Sequence, residues 1–152
     1  MKSVKIVLAM FGLAGVLAGA DPILGTWKMN IAKSKFSPGP APKDVTSTYS
    51  QEGDWIVMKT EGTDSEGKPI SRTNRVKLDG NEYPFDGPNG PGKITIRQID
   101  DYHSESVMKL DGGGTITSRS EISKDGKTRT QTSTGTNSKG QKVNSVVVFE
   151  RQ

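Results

Sequence analysis

From residue 21 onward, no stretch of this chain carries apolar residues at helical spacing for more than one turn. Short segments that alternate apolar with polar residues recur instead, with turn residues between them. That pattern predicts an all-β fold of about ten strands: Ile23–Asn30, Asp44–Gln51, Trp55–Glu61, Ile70–Leu78, Glu82–Phe85, Lys93–Ile99, Tyr102–Leu110, Thr115–Ser123, Thr128–Thr134 and Val143–Arg151. Glu52-Gly53, Asp79-Gly80, Asp111-Gly112-Gly113-Gly114 and Lys124-Asp125-Gly126 supply the residues that tight hairpin turns require. Sequential hairpins imply an antiparallel up-and-down meander. Two linkers differ. Ile31–Lys43 contains Ser37-Pro38-Gly39-Pro40-Ala41-Pro42, which excludes both helix and central strand. Asp86–Gly92 is too rich in Gly and Pro for a tight two-residue turn and is expected to be a mobile loop. A weak internal repeat supports the meander: Gly62-Thr63-Asp64-Ser65-Glu66-Gly67 echoes Gly135-Thr136-Asn137-Ser138-Lys139-Gly140, and Val45-Thr46-Ser47 echoes Ile116-Thr117-Ser118.

The first twenty residues have another character. Lys2 and Lys5 precede an apolar run from Ile6 to Leu17, and Ala18-Gly19-Ala20 follows, which is the pattern of a secretory signal peptide cut after Ala20. The run is short for a bilayer span, so a soluble, exported protein of residues 21–152 is expected, periplasmic or extracellular and monomeric. Its 132 residues suit a single domain. No cysteine is present, which removes disulfides, thiolate metal sites and cysteine nucleophiles together. Stability therefore rests on burial, yet only 33 of these residues are apolar or aromatic. The 28 serines and threonines resolve the tension, since threonine favours strands and tolerates water. Nineteen basic against seventeen acidic residues leave no concentrated basic face for nucleic acid.

Gly25-Thr26-Trp27-Lys28-Met29-Asn30 resembles the Gly-x-Trp start of lipocalins and of the related fatty-acid-binding and avidin-type barrels. Arg151, ending the last expected strand, sits where lipocalins place an arginine over that tryptophan. The resemblance implies a lipocalin-like, calycin-type barrel closed at one end by a structural pair, Trp27 and Arg151. No central Thr-Asp-Tyr motif is present, and the proline-rich stretch lacks the helical pair that caps fatty-acid-binding proteins. The chain is also similar to small exported bacterial lipocalin-like proteins of unassigned role, most distinctively through Ala32–Pro40.

His103, the single histidine, excludes multi-histidine zinc sites. Beside Asp100 and Asp101 it reads as a polar residue at a strand start more readily than as a general base. No Gly-x-Ser-x-Gly elbow is present. Asp64-Ser65-Glu66-Gly67 and Asp79-Gly80-Asn81-Glu82 have the oxygen donors of a calcium loop, but hairpin chemistry accounts for both. Neither a metal nor a cofactor is expected. More informative is the sharing of strand faces: Arg72 and Asn74 alternate with Ile70, Val76 and Leu78, while Ser118 and Ser120 alternate with Ile116 and Ile122. A packed core rarely accepts so many polar groups, whereas a barrel of eight to ten strands has room for a lumen. The chain therefore reads as a non-catalytic binding protein for a small apolar or amphipathic molecule. Arg72 and Asn74 would meet the polar end, with Glu61 or Glu121 as alternative partners of Arg72, and Tyr49, Trp55, Ile96, Met108, Ser118 and Ser120 would line the site. The alternative is a structural or interaction module of the cell envelope whose barrel is filled with side chains.

Overall fold

The alternating segments form ten strands in the computed structural model, which describes residues 21–152. They are β1 (Gly25–Lys35), β2 (Asp44–Glu52), β3 (Trp55–Thr63), β4 (Pro69–Val76), β5 (Asp79–Gly87), β6 (Gly90–Gln98), β7 (His103–Leu110), β8 (Thr115–Ile122), β9 (Thr128–Thr136) and β10 (Lys142–Arg151). The expected cleavage after Ala20 lies outside the described residues.

All ten strands belong to one antiparallel sheet in the order β4-β3-β2-β1-β10-β9-β8-β7-β6-β5. Pairing of β1 with β10 joins the two ends of the meander, and β4 and β5 are the edges. Asn74 closes that seam. Its side-chain nitrogen donates to the Asp86 carbonyl at 2.9 Å, and its oxygen accepts from the Asp86 N–H at 2.8 Å. One buried side chain thus stands in for a missing rung of main-chain ladder. Asn74→Leu should cost roughly 1–3 kcal/mol for each backbone group left without a partner. Hydrogen exchange at the Asp86 amide should rise selectively. An unchanged exchange rate there would show that the seam is held by something else.

Trp27, fully buried, plugs one end of the barrel with Ile122 and Phe149. Its Nε1 donates to the Ile23 carbonyl at 2.8 Å. The Arg151 guanidinium lies 4.3 Å from the Trp27 ring centroid and donates to the carbonyls of Leu24, Gly126 and Pro22. A delocalised, weakly hydrated cation suits this place, because it stacks on the ring while gathering carbonyls from separate segments.

The proline-rich segment between β1 and β2 crosses the opposite end as a strap. Asn144 N–H donates to the Ser37 carbonyl at 2.8 Å, Ser37 N–H to Ser145 Oγ at 3.1 Å, and Lys43 N–H to the Thr63 carbonyl at 2.9 Å. β1 reaches the strap through a bulge, for Asn30 pairs with Val148 but Lys35 with Val146. Ser34 Oγ fills the break by donating to the Asn30 carbonyl and accepting from the Val148 N–H.

Asp86–Gly92 departs from expectation. Gly87 pairs with Gly90 across a two-residue turn, Pro88-Asn89, so the segment is a tight hairpin and not an open loop. Pro88 cannot take the positive φ of the usual hairpin turns, and the backbone reverses through Gly90 at φ 105°.

Candidate functional site

Within the barrel lies a cavity of about 460 Å³. It exists because the inward positions on β7, β8 and β9 carry short polar side chains where a packed core would carry leucine or phenylalanine. Ser106, Ser118, Ser133 and Ser145 face one another across four adjacent strands, and Ser104, Ser120 and Gln131 form the next row. All seven line the cavity, as do the strap residues Phe36, Pro38, Pro40 and Pro42.

Of the residues expected at the site, Tyr49, Arg72, Ile96, Met108, Ser118 and Ser120 line this cavity. Asn74 and Trp55 do not. Asn74 is engaged at the seam, as described above. Trp55 is one residue out of phase with Ile56 and Met58, which do line the lumen, and it belongs to a groove on the barrel exterior. There it packs edge-on to Tyr83 at 5.4 Å, with the Lys77 ammonium 4.9 Å from its ring centroid. Arg72 pairs with neither Glu61 nor Glu121. Across the β3–β4 ladder it faces Thr60, so alternation puts Glu61 on the other face, where Lys59 takes it at 3.0 Å. The carboxylate nearest Arg72 is Asp86, with 3.7 Å between Nε and Oδ2.

Arg129 is a buried cation on the cavity wall, and no feature of its own strand announced it. Only 5% exposed, it lines the cavity beside the closed end. Its guanidinium carbon lies 4.3 Å from the Phe149 ring centroid and 5.2 Å from that of Tyr49. Nε is buried and has no hydrogen-bond partner, and among the described residues no carboxylate lies within ion-pair distance of the side chain. An interior cation held by two aromatic faces and no counter-ion is costly unless an anion can join it. Arg129, Gln131 and Ser133 share one polar face of β9, and pairing with Phe149, Val147 and Ser145 of β10 puts it inside. The available clue was a strand polar on both faces near the middle of a sheet.

His103 begins β7 with Nδ1 2.8 Å from Asp100 Oδ1, and Nε2 lies 3.7 Å from Glu121. The Tyr102 N–H, followed by His103 itself, holds the Asp100 carboxyl below its usual range. This is a turn held by its own donors. Asp64 likewise accepts from the Glu66 and Lys68 N–H groups within its hairpin, and among the described residues no cluster of potential metal ligands occurs.

A nearly closed ten-stranded meander, hollow and plugged at one end by a tryptophan and an arginine, defines a lipocalin-like, calycin-type barrel. Solved structures share this shape. A Schistosoma mansoni fatty acid binding protein in complex with arachidonic acid superposes with a TM-score of 0.60 at 20% identity, covering 86% of this chain and 96% of that one. The zebrafish ileal bile acid-binding protein complexed with cholic acid gives 0.57 at 14%, over 86% and 99%. A Nostoc punctiforme protein of unknown function from the DUF3598 family gives 0.56 at 16%, over 86% of this chain and 48% of that one. These identities show a shared fold. No family model and no curated protein matches the chain.

Proposed function

We infer that this protein is an exported, non-catalytic carrier that holds one small amphipathic acid in its lumen, with the acid's anionic end at Arg129. The observation that carries this reading is a cavity-lining arginine, 5% exposed, whose Nε has no hydrogen-bond partner and whose charge no nearby carboxylate offsets. The cavity volume of about 460 Å³ falls within the range of small-molecule sites, roughly 300–1,000 Å³, and favours a bound ligand over a barrel filled with side chains. The fatty-acid and bile-acid binders that share the fold support a ligand of this kind. Arg72 is the weaker anion site, because Asp86 already offsets its charge.

Titration with a fluorescent fatty acid tests the assignment. A charge-assisted hydrogen bond contributes roughly 1.5–3 kcal/mol, so Arg129→Met should weaken binding by about tenfold or more. The ligand-free variant should melt no lower than the parent, since a buried charge gives way to an apolar chain of similar length. Arg72→Met should lose less affinity. Equal affinities for the parent and Arg129→Met would remove Arg129 from the site. Export has its own check: the secreted form should begin at Asp21, and a mature protein still starting at Met1 would contradict it.

A further inference from the structure

The lumen holds a cation toward each end. Arg129 is the second residue of β9, directly after the β8–β9 turn whose Gly126 carbonyl accepts from Arg151, so it sits at the plugged end. Arg72 is the fourth residue of β4, after the β3–β4 hairpin, and the strap is tied to that same end through the Lys43 N–H and the Thr63 carbonyl. Both arginines line the one cavity. Alternate hairpins of an up-and-down meander lie at opposite ends, so the two face the lumen from its floor and from its mouth, with Cα atoms on the order of 10 Å apart along the axis for ordinary strand rise and tilt. Arg72 is paired only loosely. Its contact with Asp86, Nε to Oδ2 at 3.7 Å, is longer than a hydrogen bond and leaves the donors of the guanidinium uncommitted. Asp86 is also the more exposed partner, 55% against 27%, so water screens its charge more than that of Arg72.

An acid with a single carboxylate uses one of these cations. With that carboxylate at Arg129, its hydrocarbon end reaches the mouth and displaces water from Arg72 while giving the guanidinium nothing in exchange, which costs free energy. A second anionic group at the far end removes the cost and adds a charge-assisted hydrogen bond. Ile56, Val76, Ile94, Met108 and Ile116 line the same cavity and suit a hydrocarbon span. Resting on the carrier reading above, we propose that the natural ligand is a two-headed acid of the α,ω-dicarboxylate class, with one carboxylate at Arg129, the other at Arg72, and an apolar chain of matched length joining them. Asp86 tempers the mouth site, because its carboxylate competes with the ligand for Arg72.

Calorimetric titration with dodecanoate and dodecanedioate decides it. In a lumen with one cation the second carboxylate is a charge taken out of water for no return, and the diacid should bind far more weakly than the monoacid. The parent protein should instead bind dodecanedioate at least as tightly as dodecanoate. Arg72→Met should weaken dodecanedioate by about fivefold or more and change dodecanoate by about twofold at most. Asp86→Asn should act in the opposite sense and tighten dodecanedioate alone. A series from octanedioate to hexadecanedioate gives a check on the parent that needs no variant to fold: affinity should pass through a maximum, because two fixed cations set one length, whereas monoacids should tighten with each added CH₂ until the lumen is full. Dodecanedioate bound more weakly than dodecanoate, diacid affinity unmoved by Arg72→Met, or a diacid series with no maximum would each overturn the two-headed ligand and leave the carrier reading standing. Failure of the parent to bind any of these acids would overturn both.

Discussion

Trp27→Ala should remove roughly 3–5 kcal/mol of folding stability, the range for deleting a large aromatic from a core. Such a loss is a third or more of the whole for many domains of this size. Trp27 is fully buried, touches Ile122 and Phe149, spends its N–H on the Ile23 carbonyl, and carries the Arg151 guanidinium on its face. Neighbouring side chains cannot collapse into the void, because the barrel wall around it is held by ladders on both sides, from Ser47 of β2 and Arg151 of β10. Trp27→Phe should recover part of the loss. Arg151→Ala should cost less than Trp27→Ala, since it opens contacts at the rim and leaves the plug in place. Equilibrium denaturation of the three variants checks the order. A neutral Trp27→Ala would mean that the barrel is not closed at this end in the way the contacts imply.

Gly135→Ala is expected to be the next most damaging change, at roughly 2–5 kcal/mol from backbone strain and displaced ladder together. A Cβ at Gly135 would lie 2.0 Å from the Thr115 carbonyl oxygen, and the residue has φ 142°. Neither the chain of β8 nor that of β9 can retreat without breaking its pairing. Gly53→Ala is the control, for it has φ 60° and open space around it, so only the conformational penalty of about 1 kcal/mol applies. The two losses should differ severalfold in chemical denaturation. Gly135 lies on the inward face of β9 two residues from Ser133, so the same change should also disturb the hydroxyl rows and weaken ligand uptake. Similar losses for the two variants would show that the close approach at Gly135 does not constrain the strand.

The internal repeat acquires a physical meaning here. Gly62 stands to the Asp44 carbonyl as Gly135 stands to that of Thr115, with a Cβ separation of 2.2 Å. Asp64 and Asn137 then organise five-residue turns with the same hydrogen bonds: the backbone N–H donates to the carbonyl four residues on, and the side-chain oxygen accepts from the N–H groups two and four residues on. Below them Ser47 meets Thr60 as Ser118 meets Ser133. Similar sequence in the two segments therefore marks the same hairpin, built twice.

Strands and turns were legible because alternation and glycine placement are local signals, and ten segments could be placed from them. Ser118 and Ser120 were legible for the same reason, since each shares a face with isoleucines. Asn74 shares its strand face with Ile70 and Val76, but its bond to Asp86 depends on how the sheet curls, which no local pattern encodes. Pro88-Asn89 was misread because Gly-Pro density can mean a mobile loop or a rigid turn, and pairing of Gly87 with Gly90 decides between them. Arg129 was invisible because its neighbours along β9 are polar, and only the register with β10 shows that its face is the inner one. Site chemistry here depends on strand register, and a single residue of slip exchanges the two faces.

A crystal structure of the protein in complex with the fatty acid used in the titration tests the central claim most directly. The account predicts the carboxylate within hydrogen-bond distance of Arg129, near the closed end, with the rest of the molecule extending up the lumen toward the strap at Phe36–Pro42. A carboxylate at Arg72 and the mouth instead, or a ligand bound only in the exterior groove beside Trp55, would contradict it.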